Sequence, residues 1–214
     1  MARPVSRREL LQLGVVAALG WGAARFFQQL APIGQDASAN RTARRLLSDT
    51  ASPRMGPADA DLIVVVFTDY QCPACKLSAP ELDAAVRSDG RVRVIFKDWP
   101  IFGPVSDHAA RVALAAARQG VFPVLHQRLM AERRALRSDV LKANVEAAGG
   151  DWAMVLDDLA RHRRAIDQSI ARNGADAFAL GLEGTPAWLI GTRLVVGALD
   201  EDKFYRAFAQ VRQG

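Results

Sequence analysis

Cysteine is nearly absent from this chain: there are two among 214 residues, with three histidines and four methionines. Without a third cysteine there is no structural disulfide to offer, so stability must come from packing. The same scarcity counts against zinc, because His108, His126 and His162 stand at no ligand spacing to a partner. Tracts rich in methionine or histidine, which would favour a carrier of soft metal ions, are missing too. Long apolar runs are scarce as well. The stretch Leu10 to Ala24 stops at Arg25, short of the roughly 20 residues that a membrane-spanning helix needs. There is no single block of one charge: the net +5 comes from arginines spread along the chain. Arg133-Arg134 and Arg161 to Arg164 alternate with acids and alanines on helical stretches and read as solvated faces, which excludes a nucleic-acid surface. No internal repeat or low-complexity tract occurs.

What is present centres on the two cysteines. The run Val64-Val65-Val66-Phe67-Thr68-Asp69-Tyr70-Gln71-Cys72-Pro73-Ala74-Cys75-Lys76 delivers them from a β-branched strand to the start of a helix. Backbone N–H groups at a helix start lack intrahelical partners and carry the positive end of the macrodipole, so a thiolate at Cys72 is stabilised there. Pro73 suits the first turn, where its missing N–H costs nothing. Ala74 completes the short spacer that lets the two sulfurs close a ring reversibly. Lys76, four positions after Cys72, lies on the same helical face and is expected to add positive charge near the sulfur. This is the layout of a dithiol/disulfide redox centre, with Cys72 as nucleophile and Cys75 as resolving thiol.

Along the chain, half of the residues are hydrophobic, enough for a sizeable core in one domain. Residues 1–25 pair a basic start (Arg3, Arg7, Arg8) with the short apolar run, which reads as an export signal, an uncleaved anchor being the alternative. Ser6 to Leu11 further resembles a twin-arginine signal. Residues 26–60 read as a linker or N-terminal segment, and the domain proper as 61–214. Strands are expected at Leu62 to Phe67 and Val92 to Phe96, with a helix between them that Pro80 should kink. From about 104 to 181 the pattern is helical throughout. Ser106, Pro123, Ser138 or Asp139, and Asp151 mark helix starts, with ends near Arg118, Arg137, Gly149 and Leu159, and a last helix covers Ile166 to Leu180. His108 and His126 are expected to pack or cap, Trp99 and Trp188 to lie in the core, and His162 to face water.

Further down, Gly184-Thr185-Pro186-Ala187-Trp188-Leu189-Ile190 precedes a turn, a strand at Arg193 to Gly197 and a helix from Asp200. Strand, CPxC, helix, strand, helical insertion, Gly-Thr-Pro, hairpin and helix, in that order, resemble the DsbA-like thiol:disulfide oxidoreductases of the thioredoxin superfamily over about residues 47 to 212. The resemblance implies an α/β thioredoxin-like fold, βαβ and ββα units with an all-helical insertion, and a cis-proline loop in which Thr185 and Pro186 border the sulfur and bind substrate. It also implies protein substrates with cysteines, in a periplasmic or other extracytoplasmic compartment, and a membrane redox partner. A monomer without cofactor or metal is expected. One departure is plain: such proteins commonly carry a buried acid six positions before the first cysteine, where this chain has Val66. Disulfide formation is the expected activity, against two alternatives: an isomerase or reductase, and a soft-metal-binding module using the two thiolates.

Overall fold

The computed structural model describes residues 20–21 and 31–213. The export-signal reading at 1–25 therefore lies outside the described residues, apart from Gly20 and Trp21. Residues 33–214 make one compact unit. Among the described residues no helix is long and apolar enough to cross a membrane.

The unit is built on a six-stranded mixed sheet. Its strands are β1 (Gln35–Asp36), β2 (Arg54–Met55), β3 (Leu62–Thr68), β4 (Val92–Asp98), β5 (Ala187–Ile190) and β6 (Arg193–Val196), in the spatial order β1-β6-β5-β3-β4-β2. The helices are α1 (Arg41–Leu47), α2 (Pro73–Asp89), α3 (Pro104–Ala116), α4 (Phe122–Ala131), α5 (Ser138–Ala147), α6 (Trp152–Arg161), α7 (Arg163–Ala179) and α8 (Glu201–Gln213), with a 3-10 turn at Ala117–Gln119 after α3.

β3 is apolar at nearly every position because both of its faces are covered, as expected of a central strand. Val64 and Val66 enter one core together with Cys72, Cys75, Phe204 of α8 and the helices α3 to α5. Val65 and Phe67 enter a second core with Leu46 of α1, Trp99 and the end of α7. Each such side chain contributes about 1.5–3 kcal/mol on burial, so the strand is fixed in register from both sides. β3 pairs parallel with β4, from Leu62 opposite Val92 to Thr68 opposite Asp98, and α2 makes the crossover between them. β5 returns antiparallel along β3, with Val66 opposite Trp188. The fold is thus thioredoxin-like, with α3 to α7 inserted between the βαβ and ββα units.

Several local expectations change. Within residues 26–60, read as a linker or N-terminal segment, the described part supplies both edge strands and α1: β1 pairs with β6, β2 pairs with β4, and Leu46 is buried in the second core. α1 starts with Asn40, whose side chain accepts from the N–H groups of Thr42 and Ala43. α3 begins at Pro104 after Gly103, not at Ser106, whose hydroxyl faces inward. α4 stops at Ala131, short of Arg137, because the chain turns extended at Glu132. α7 starts at Arg163, earlier than Ile166. Asp151 does cap α6, accepting from the N–H groups of Ala153 and Met154. α2 runs unbroken through Pro80 to a left-handed Gly90.

Candidate active site

β3 ends against the site through the turn Asp69-Tyr70-Gln71, and the chain then enters α2 at Cys72. The Cys72 backbone is extended and its side chain occupies the N-cap position, where Sγ accepts from the Cys75 N–H at 3.4 Å. The sulfur thus sits at the helix start, where backbone N–H groups have no intrahelical partners. Both cysteines are free thiols and both are buried. Across from them, the Cys72 thiol donates to the Thr185 carbonyl at 3.2 Å, and the Thr185–Pro186 peptide is cis. The two motifs that lie far apart in sequence are therefore in direct contact. Burial pushes the Cys75 thiol up to about 12, with the Thr185 side chain, the Asp69 backbone and the Thr68 side chain pulling the other way. Cys75 is thus a thiol that holds its proton.

Of the expected neighbours, Pro73 is exposed and occupies the first turn of α2, and Ala74 packs partly against the core. Lys76 lies on α2, and its Nζ donates to the Glu132 carbonyl at 2.5 Å, tying α2 to the end of α4. Partial burial lowers its pKa. An open groove of about 600 Å³ runs alongside, lined by Gln71, Pro73, Leu77, Pro80 and Met130 among others. Leu77 is 70% exposed there, an apolar side chain left in solvent next to the thiols.

Beneath the sulfurs lies a polar layer that the sequence reading missed. Asp69 is buried, and its carboxylate accepts from the N–H groups of Gln71, Ile101 and Phe102 and from the Ser106 hydroxyl at 2.7–3.1 Å. One side chain thereby fixes the turn before Cys72, the loop after β4 and the start of α3. The only signal for it was an aspartate two residues before a turn N–H. The Tyr70 hydroxyl meets His126 Nδ1 at 3.1 Å, and burial drives His126 down to about 3, so that its ring is neutral. Asp98, at the end of β4, is buried with neither carboxylate oxygen within hydrogen-bond distance of a partner, and burial pushes it up to about 8 against the pull of the nearby Tyr70 hydroxyl.

Trp99 and Trp188 lie in the two cores as expected, Trp188 donating to the Gly197 carbonyl at 2.8 Å. His126 is packed, while His108 meets the Ser138 hydroxyl at 3.2 Å. Among the described residues no cluster of three or more histidine, cysteine or acidic side chains is arranged to hold a metal ion.

Solved structures with the same architecture include a thioredoxin-like oxidoreductase from Silicibacter pomeroyi, 31% identical, with a TM-score of 0.75 over 82% of this chain and 99% of that one. A periplasmic thioredoxin-like protein from Salmonella enterica serovar Typhimurium is 33% identical, with a TM-score of 0.73 over 82% and 98%. The thiol-disulfide exchange protein alpha-DsbA2 from Wolbachia pipientis is 25% identical, with a TM-score of 0.75 over 83% and 100%. A curated relative, the Na(+)/H(+) antiporter NhaA 1 of Salinispora arenicola, is 29% identical over 140 residues, which are 64% of this chain and 21% of the antiporter. Across these curated relatives the chain spans only 21 to 35% of their length. The DSBA-like thioredoxin domain matches residues 63–209, the stretch that carries both cysteines, the cis-proline loop and the helical insertion. With that match and this geometry, the chain belongs to the DSBA-like thioredoxin domain family.

Proposed function

We propose that this protein is an exported thiol:disulfide oxidoreductase that introduces disulfides into protein substrates through Cys72 and Cys75. The observation that carries the reading is the pairing of a helix-start thiol at Cys72, hydrogen-bonded to the Thr185 carbonyl, with a buried thiol at Cys75 that holds its proton.

From the oxidised form, a substrate thiolate attacks Cys72. A mixed disulfide forms with the substrate, the Cys72–Cys75 bond breaks, and Cys75 leaves with the electron pair. A second substrate thiolate then attacks the substrate sulfur in the mixed disulfide, and the product departs with its new disulfide while Cys72 leaves with the electron pair. The enzyme is left as a dithiol and needs an electron acceptor, for which a membrane redox partner is the proposed source. An extended substrate segment lies along the Thr185–Pro186 loop, with its apolar side chains toward Leu77 and Met130 in the groove. The export compartment is supported by the basic-then-apolar start of the chain and by the periplasmic Salmonella neighbour.

Oxidative refolding of a reduced, unfolded substrate tests this, run beside reactivation of the same substrate with mispaired disulfides. We expect efficient oxidation by a monomer and poor rescue of the scrambled form. Rescue without oxidation would make the protein an isomerase, and failure of both with tight one-to-one Cu(I) binding would make it a soft-metal-binding module.

A further inference from the structure

The groove beside the thiols is built from one face of α2 and the end of α4. Pro73, Leu77 and Pro80 recur every three to four residues along α2, so they share a face, and all three are exposed. At 1.5 Å per residue that stripe is about 10 Å long, room for about three residues of an extended chain. Met130 and Ala131, at the end of α4, line the groove from the insertion.

The charge left unmatched along this groove is of one sign. Where α4 ends, the Glu132 carboxylate folds back within the insertion: it accepts from the Arg134 guanidinium at 2.5 and 3.0 Å and from the Asn144 amide at 3.0 Å. Asp69, the other acid near Lys76, is buried and held by its four donors. Arg133 lines the groove, is exposed, and has no acidic partner among the described residues. Lys76 lines it too, and its ammonium donates to the Glu132 carbonyl, a neutral group that leaves the positive charge in place.

We propose that this groove selects substrate segments in which an aspartate or glutamate stands two residues from the reacting cysteine, with Arg133 and Lys76 as the groups that read the acid. The proposal rests on the thiol–disulfide exchange reading and adds a substrate class to it.

The spacing follows from the two backbones. Lys76 lies four residues after Cys72, about 6 Å along the helix, and two residues of an extended chain cover about 6.6 Å while returning their side chains to the same side. A substrate whose sulfur meets Cys72 therefore presents the residue two positions away toward Lys76 and Arg133. The apolar stripe of Pro73, Leu77 and Pro80 lies under the rest of the segment. An exposed charge pair is weak, worth up to about fivefold, so attraction for an acid and repulsion for a lysine together give about a tenfold difference. The exchange itself is unaltered. The substrate thiolate bonds to Cys72, the Cys72–Cys75 bond breaks with its electron pair going to Cys75, and a second substrate thiolate then displaces Cys72. The substrate is oxidised by two electrons and the protein is reduced to its dithiol.

The test is quenched-flow reduction of the oxidised full-length protein by dicysteine peptides, identical except for Asp or Lys placed two residues outside each cysteine. Each rate is divided by that peptide's rate with hydroxyethyl disulfide, which removes the effect of the neighbouring charge on the thiol itself. We expect the Asp peptide to react about tenfold faster than the Lys peptide at low salt, and the ratio to shrink as salt rises. Arg133→Glu should bring the ratio to about one or below. Arg87→Glu changes the net charge equally but lies at the far end of α2, about 22 Å from Cys72, and should keep the ratio. Both arginines are exposed, so both variants should fold. A wild-type ratio near one, or a ratio that Arg133→Glu leaves in place, overturns the proposal while leaving thiol–disulfide exchange intact. Equal loss in Arg87→Glu overturns it too, since overall charge would then be the cause. A protein disulfide that neither peptide opens sinks the underlying reading instead.

Discussion

Ser78, one turn beyond Cys75 on α2, exchanges two hydrogen bonds with the backbone of Leu199: its hydroxyl donates to the carbonyl at 3.0 Å and accepts from the N–H at 2.9 Å. Ser78 and Leu199 are both buried, so one side chain satisfies two main-chain groups and fixes the approach to α8 against the helix that bears the thiols. Ser78→Ala should lower stability by about 2 kcal/mol, since it leaves a buried donor and acceptor unmatched. Urea unfolding measures this, and a shift below about 0.5 kcal/mol would show that water replaces the hydroxyl.

The two thiols should label in a fixed order. With Cys75 pushed up to about 12, only about one molecule in 10⁴ carries its thiolate at pH 8. Limiting alkylation of the reduced protein should therefore modify Cys72 alone, and denaturation should release the second site. Peptide mapping by mass checks the order, and early label on Cys75 would reverse the assignment of roles.

Cys75→Ala should keep Cys72 able to engage a substrate thiol but remove the partner that clears the bond. Mixed disulfides with client proteins are the expected product in cells, visible as reducible bands on non-reducing gels. Free monomer alone, with Cys72 accessible to reagent, would count against protein substrates.

Acid should loosen the clasp between the N-terminal segment and β4. Burial works to raise the Asp49 carboxyl, but hydrogen bonds from Lys97, Ser52 and the Ala51 N–H outweigh it and hold the pKa well below the usual carboxylate range. A depressed pKa means that the unfolded chain binds a proton first. This contribution to stability is therefore full above about pH 4 and is lost as pH falls below it. Asp49→Asn should lack that acid-side loss and start lower at pH 7 by about 3 kcal/mol, because it strands a buried ammonium at Lys97. Unfolding midpoints between pH 3 and 7 would reveal parallel curves if Asp49 were idle.

The site was legible where chemistry is written in local order. Cys72 and Cys75 share a spacer, and Thr185 and Pro186 sit in a short motif before a strand. Groups whose partners arrive from other elements were not legible. Asp69 acts through the loop at Ile101 and Phe102 and through Ser106 at the start of α3. Lys76 was placed on the correct helical face, yet a four-carbon stem reaches more than one acceptor, and Glu132 of the insertion provides the one it uses. Ser106 looked like a cap by residue type, but Asp69 claims its hydroxyl and the helix starts two residues earlier. The strands β1 and β2 are two residues each, too short for any alternation to register.

Those two short strands border opposite edges of the sheet, with α1 between them in the chain. Arg54 finds its partner once Ile95 has been made, whereas Gln35 must wait for Leu194 in the last strand of the sheet. During synthesis, the earliest part of the domain is therefore the last to be secured. Until the ribosome has released β6, one border of the sheet stays open, and a chain emerging residue by residue cannot lock the domain shut before that strand is out.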